Sequence, residues 1–241
     1  MSSITSSMSR ESISANKSKT PVSNSEYFYS KKGMDLIAIY ENMAKNGYTT
    51  SSGQAIAKEN TYNTFELQKQ KSEIKRMFHR FGVKSVLDYG SGASDWRKPD
   101  LKFDALSAFE YFELEDIFCF EPAREVDQRR RVDCVVSFDV LEHIFVSDVA
   151  AVLTDIFSYA SKLVILNVAC YKADATLPNG ENAHVTVRHP FWWKGMIDSV
   201  SVKFPDVQIC LYTSLGYGKT HGFPIFSDKM RENDKKFVVD Y

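Results

Sequence analysis

The stretch Ser85-Val86-Leu87-Asp88-Tyr89-Gly90-Ser91-Gly92 constrains this chain most: an apolar run of strand length ends in an acid and then in two glycines spaced for a tight turn. It reads as a buried strand running into a loop whose glycines, lacking Cβ, let the backbone bend through positive φ and let a ligand come close. The acid restricts that ligand, because Asp88 would repel a pyrophosphate and attract an ammonium. A dinucleotide fingerprint would also need a small residue three positions after Gly92, where this chain has Asp95. A strand with Gly-x-Gly at its end is equally an ordinary structural turn, so the reading depends on the rest of the chain.

From residue 84 onward strands and helices alternate, which predicts an α/β fold: a mostly parallel sheet with helices on both faces. Strands are predicted over 83–89, 117–120, 132–138 and 163–169, with a weaker pair at 200–204 and 207–212. Helices are predicted over 103–114 and 149–160. Only ten residues separate Glu121 from Val132, too few for helix, strand and helix, so the third strand is expected to be vestigial or missing.

Before the glycine loop, helical periodicity covers residues 34–45, with Leu36, Ile37, Tyr40 and Met43 on one face, and residues 61–80, with Phe65, Ile74, Met77 and Phe78 inward. Gly47 and Gly82 stand at their ends. Residues 26–82 are thus expected to be an N-terminal helical segment, with Tyr48, Tyr62 and Phe65 in an aromatic stripe of the kind that commonly builds cores. Residues 1–25, dominated by Ser, are expected to be a disordered tail, and residues 83–241 the main domain.

A second motif supports the first. Val132-Asp133-Cys134-Val135-Val136-Ser137-Phe138-Asp139-Val140-Leu141-Glu142-His143-Ile144 is an apolar strand running into an acid-rich turn. Together with acid-x-Gly-x-Gly at Asp88, Gly90 and Gly92, it resembles the class I S-adenosylmethionine-dependent methyltransferases, over residues 84–169. The third glycine of the family's loop is replaced by Ser94. The resemblance implies a Rossmann-like sheet, a lid over the acceptor pocket formed by the helices of residues 26–82 with Tyr48, Tyr62 and Phe65 facing that pocket, and binding of S-adenosylmethionine by Asp88, Gly90, Gly92, Glu121 and Asp139. Glu121, at the end of the second strand, would accept both ribose hydroxyls, for which two carboxylate oxygens are suited.

Asp139, Glu142 and His143 stand at i, i+3 and i+4, so a helix starting there would project all three from one face. Metal-dependent relatives use a similar set with a later ligand, which implies a divalent metal at Asp139, Glu142, His143 and either His184 or His189. Glu142 and His143 orienting the loop by hydrogen bonds is the plainer alternative. His184, in the acceptor insertion at residues 171–195, is the first candidate for general base, with His143 as the second catalytic candidate. Trp192 and Trp193 read as core anchors.

The expected activity is therefore methyl transfer to oxygen on a small metabolite or glycan precursor. The alternative is a catalytically degenerate cofactor-binding or protein-interaction module on the same fold. The chain has 241 residues, 44% hydrophobic, with a net charge of -1, so it predicts a soluble globular protein without the basic footprint of a nucleic-acid binder. No apolar run reaches membrane-spanning length, which argues against a membrane partner. Cys119, Cys134, Cys170 and Cys210 form no Cys-x-x-Cys pair and read as free thiols of a cytoplasmic protein.

Overall fold

The computed structural model describes residues 29–50, 53–62, 66–216 and 219–225. The expected tail at 1–25 and Phe65 lie outside these residues. Helix α1 (Lys31–Asn46) starts where the Ser30 hydroxyl accepts from the Gly33 amide and stops at Gly47, φ 76°. A hairpin of β1 (Tyr48–Thr49) and β2 (Ala55–Ile56) comes next. Helix α2 (Lys71–Phe81) is shorter than the predicted 61–80: Tyr62 sits at φ 56°, and a 3-10 turn at Glu66–Gln70 precedes the helix proper. Gly82 caps α2 in the left-handed conformation, as its position predicted.

Seven strands form the main sheet. They are β3 (Ser85–Tyr89), β4 (Asp116–Glu121), β5 (Val126–Asp127), β6 (Val132–Phe138), β7 (Ala160–Ala169), β8 (Gln208–Gly216) and β9 (Lys219–Ile225), in the order β5-β4-β3-β6-β7-β8-β9. The four inner pairings, from β4 to β8, are parallel, and both edge pairings are antiparallel. The fold is thus α/β around a mostly parallel sheet. The ten-residue gap after Glu121 holds one short edge strand, β5, which folds straight back on β4.

Alternation along the strands splits the core into two layers. Leu87, Tyr89, Val135, Val164, Leu166 and Leu211 face the side covered by α4 (Val149–Tyr159) and α5 (Pro190–Ser201). Val86, Cys134, Val136, Leu163 and Ile165 face the side covered by α2. Trp193 is fully buried in the first layer. Cys134 and Cys210 are buried and Cys119 and Cys170 half-buried, all as free thiols.

Three expected elements differ. The helix predicted over 103–114 is a 3-10 turn at Leu101–Phe103 and one turn of helix, α3 (Ala108–Tyr111): Asp104 and Ala105 at positive φ interrupt it, and a capping box between Ser107 and Glu110 restarts it. Residues 200–204, predicted as a strand, are the end of α5 and a turn. After β6 no helix begins at Asp139, which sits at φ 59°; a 3-10 turn at Leu141–His143 stands there instead. Among the described residues no helix is long and apolar enough to cross a membrane.

Candidate active site

In an open parallel sheet, ligands bind beyond the carboxyl ends of the strands where the strand order reverses. Here that point is the end of β3, which pairs with β4 on one side and β6 on the other. A cavity of about 440 Å³ opens there, within the range of small-molecule sites. The ends of β3, β4 and β6 form its floor, and α1 and residues 173–184 wall it.

The glycine loop is locked onto the protein itself. Gly90 (φ 84°) packs under Val140, and a Cβ there would lie 2.4 Å from Val140 Cγ2; at Gly92 (φ 56°) it would lie 2.5 Å from the Tyr62 carbonyl oxygen. The Gly90 and Ser91 amides donate to Phe120, the Ala93 amide to Tyr62 and the Ser94 amide to Ser91, while Gly92 donates to Glu121 Oε2 at 2.9 Å. All five amides are consumed internally. A phosphate would find no nest of free N–H groups here, unlike the anion sites that glycine loops commonly build.

What the loop presents is carboxylate. Asp88 is buried, and its Oδ2 accepts from the Trp96 indole N–H at 2.8 Å. Burial pushes its acid up to about 7, against the opposing effect of that hydrogen bond. Glu121 accepts through one oxygen from Gly92 and through the other from Ala123 at 3.0 Å, so each oxygen keeps a lone pair for the cavity. Burial raises its acid as well. Asp88, Gly90, Gly92, Glu121 and Asp139, the five expected cofactor contacts, all line the cavity.

The second cluster is assembled from distant segments. Asp139, His143 and His184 offer ligand atoms that lie within 4.8 Å of one another. The His184 ring bonds through Nδ1 to the Tyr171 carbonyl at 2.5 Å, which makes Nδ1 the protonated nitrogen and leaves Nε2 as a lone-pair donor. The His143 Nδ1 meets the Ala183 carbonyl at 2.9 Å and the Tyr40 hydroxyl at 2.9 Å, and Tyr40 donates to the same carbonyl at 2.8 Å. With Nδ1–H facing that carbonyl, Nε2 is again the nitrogen left to act. Burial lowers His143 to about 4, so the ring is neutral at pH 7.

Glu142, expected with these ligands, stands apart. Without a helix at Asp139 the i, i+3, i+4 face does not form, and Glu142 turns into the core with no exposure, accepting from the Ala169 amide through Oε1. Burial and the nearby Asp139 carboxylate raise its acid well above the carboxyl range. His189 caps α5, accepting from the Phe191 amide, and is not grouped with the cluster. Tyr48 and Tyr62 line the cavity as expected. Sequence reasoning does not mark Trp96, Tyr40 or Val140 as site residues. Tyr40 has a signal, its position on the α1 face that carries Leu36 and Met43, but its partner lies 103 residues away.

No protein-family model matches this chain, and no curated protein matches it.

Proposed function

We propose that this cavity binds S-adenosylmethionine and transfers its methyl group to the oxygen of a small acceptor. One observation carries the reading: two carboxylates at the ends of adjacent parallel strands face a cavity beside a glycine loop that has no amide to spare. Such a site suits a ligand with an ammonium and a ribose diol and disfavours one with a pyrophosphate. Asp88 would take the ammonium, whose charge draws the buried acid into its ionised form, and Glu121 the ribose hydroxyls. The motifs at Asp88 to Gly92 and Asp139 to Ile144 support the same class I methyltransferase reading.

A sulfonium already activates the methyl group, so the protein's tasks are alignment, exclusion of water and removal of a proton. α1 covers the cavity, anchored where the Ser30 amide and hydroxyl donate to the Asp148 carboxylate at 3.1 and 2.9 Å. His184 Nε2 is placed to take the proton of the acceptor hydroxyl, and neutral His143 to hold that hydroxyl by a hydrogen bond. Asp139, His143 and His184 also fit a divalent cation, since both imidazoles have Nδ1 tied to a carbonyl, the usual support of a metal-binding histidine. When bound there, the cation would supply Lewis-acid polarisation of the acceptor oxygen.

Titration of the folded chain with S-adenosylmethionine, NAD⁺ and ATP tests the reading. Binding of S-adenosylmethionine alone is expected; binding of ATP or NAD⁺ in its place overturns it. Turnover of an acceptor panel with and without chelator then separates His184 as base from His184 as ligand. Binding with no turnover would identify a cofactor-binding module.

A further inference from the structure

The acceptor end of the cavity has a chemical bias that methyl transfer itself does not require. Tyr40, His143 and His184 line it, and Tyr62 and Tyr48 continue an unbroken run of rings along the cavity toward the glycine loop. Tyr48 and Tyr62 lie nearly parallel at 6.2 Å between centroids, Tyr62 and Tyr40 meet edge-on at 6.1 Å, Tyr40 and His143 at 5.5 Å, and His143 and His184 at 4.9 Å. Burial holds the Tyr62 phenol protonated.

The formal charges around this wall have one sign. Among the described residues the cavity lining contains Glu66, Asp88, Glu121, Asp139 and Asp174 and neither lysine nor arginine. Glu66 is paired with Lys69, Asp88 and Glu121 belong to the cofactor end, and Asp139 stands beside His143 and His184 toward the acceptor. Arg124 acts electrostatically on Glu121 and Tyr62, but it is not a lining residue and donates Nη2 to the Thr61 carbonyl at 2.7 Å. An acceptor with its own carboxylate or phosphate would give up its water against this wall, meet no lysine or arginine of the described lining, and face like charge. A flat ring would stack or meet the tyrosines edge-on, and a cationic substituent would gain from their faces and from the carboxylates.

We infer that the acceptor end is a subsite for a planar aromatic compound that is uncharged or cationic, and that it rejects acceptors bearing a carboxylate or phosphate. This rests on the methyl-transfer reading for the role of the bound compound, though not for its binding. Tyrosol, tyramine and 4-hydroxyphenylacetate share a phenol ring and a short side chain that ends neutral, positive and negative. Calorimetric titration of the full chain, with and without saturating S-adenosylhomocysteine, should show tyrosol and tyramine binding and 4-hydroxyphenylacetate at least about tenfold weaker. Equal or tighter binding of 4-hydroxyphenylacetate, or no binding of any of the three, overturns the subsite. Asp139→Asn keeps a residue that tolerates φ 59° at this position. It should narrow the gap between tyramine and 4-hydroxyphenylacetate; an unaltered gap counts against the charge argument. If S-adenosylhomocysteine does not bind and the charge order persists, the methyl-transfer reading falls and the subsite stands. If it binds and the order reverses, only the subsite falls.

Discussion

The two ends of the cavity are built differently. At the cofactor end the acids sit on neighbouring strands: Asp88 is fixed by Trp96 eight residues on, and Glu121 by Ala123 two residues on and by Gly92, 29 residues back at the end of the neighbouring strand. At the acceptor end Tyr40, His143 and Ala183 meet across separations of 103, 40 and 143 residues. The first end needs little beyond the central sheet, the most deeply buried part of the molecule. The second exists only when α1 and the segment after β7 are docked together. A site assembled this way combines a rigid floor with a wall whose geometry depends on peripheral packing, so the two ends should fail separately.

Gly92→Ala strikes the floor hardest. It places a Cβ at φ 56° and 2.5 Å from the Tyr62 carbonyl oxygen, so a loss of about 4 kcal/mol in urea unfolding and of cofactor binding is expected. A mild effect would mean that the loop is free to move and the contrast with the wall is wrong.

Asp88→Asn comes next, with the opposite sign. The folded acid titrates at about 7, above its ordinary value of 3.8, because burial disfavours the charge. Its contribution is therefore full below the ordinary value and lost as pH rises through about 7. Replacing it with Asn, which still accepts from Trp96, should stabilise the ligand-free protein at alkaline pH by about 4 kcal/mol and remove the Asp88 share of the pH slope. Cofactor affinity should fall, since the charge that meets the ammonium is gone.

Glu121→Ala leaves the Gly92 and Ala123 amides without their acceptor and should cost about 2 kcal/mol together with cofactor binding. The smallest effect belongs to the wall: Tyr40→Phe removes one hydroxyl shared by His143 and Ala183 and should cost about 1 kcal/mol. It should leave S-adenosylhomocysteine affinity unchanged; an equal loss of affinity in this variant would break the distinction between floor and wall. His143 itself sets the acid limb. Its folded pKa is lowered to about 4, so the stability it contributes is present above its ordinary 6.5 and lost as pH falls through about 4. Over that range it opposes Asp88 and the other buried acids, so His143→Gln should steepen the loss of stability as pH rises.

The same division explains what can be read from the sequence. β3, β6, β7 and α4 announce themselves through apolar runs and helical spacing, because burial on both faces leaves a local pattern. Asp88, Gly90, Gly92 and Glu121 are legible because strand ends place their residues by counting alone. Glu142 is not, because its expected role depends on a helix starting at Asp139, where the backbone takes φ 59° instead. The 103–114 region fails for the same reason, with Asp104 and Ala105 at positive φ inside a helical pattern. Tyr40 and Trp96 are not legible as site residues, since nothing local marks a core-facing aromatic as the partner of a distant imidazole or a buried acid.

The central claim is that a buried acid at the end of β3 receives the ammonium of the cofactor. Calorimetric titration of S-adenosylhomocysteine at about pH 6, in two buffers of different ionisation enthalpy, tests it most directly. Asp88 is then mostly protonated before binding and ionised after it, so one-site binding with release of up to about one proton is predicted, the proton release disappearing in Asp88→Asn. No binding by the folded chain, or binding that releases no proton, would contradict the account.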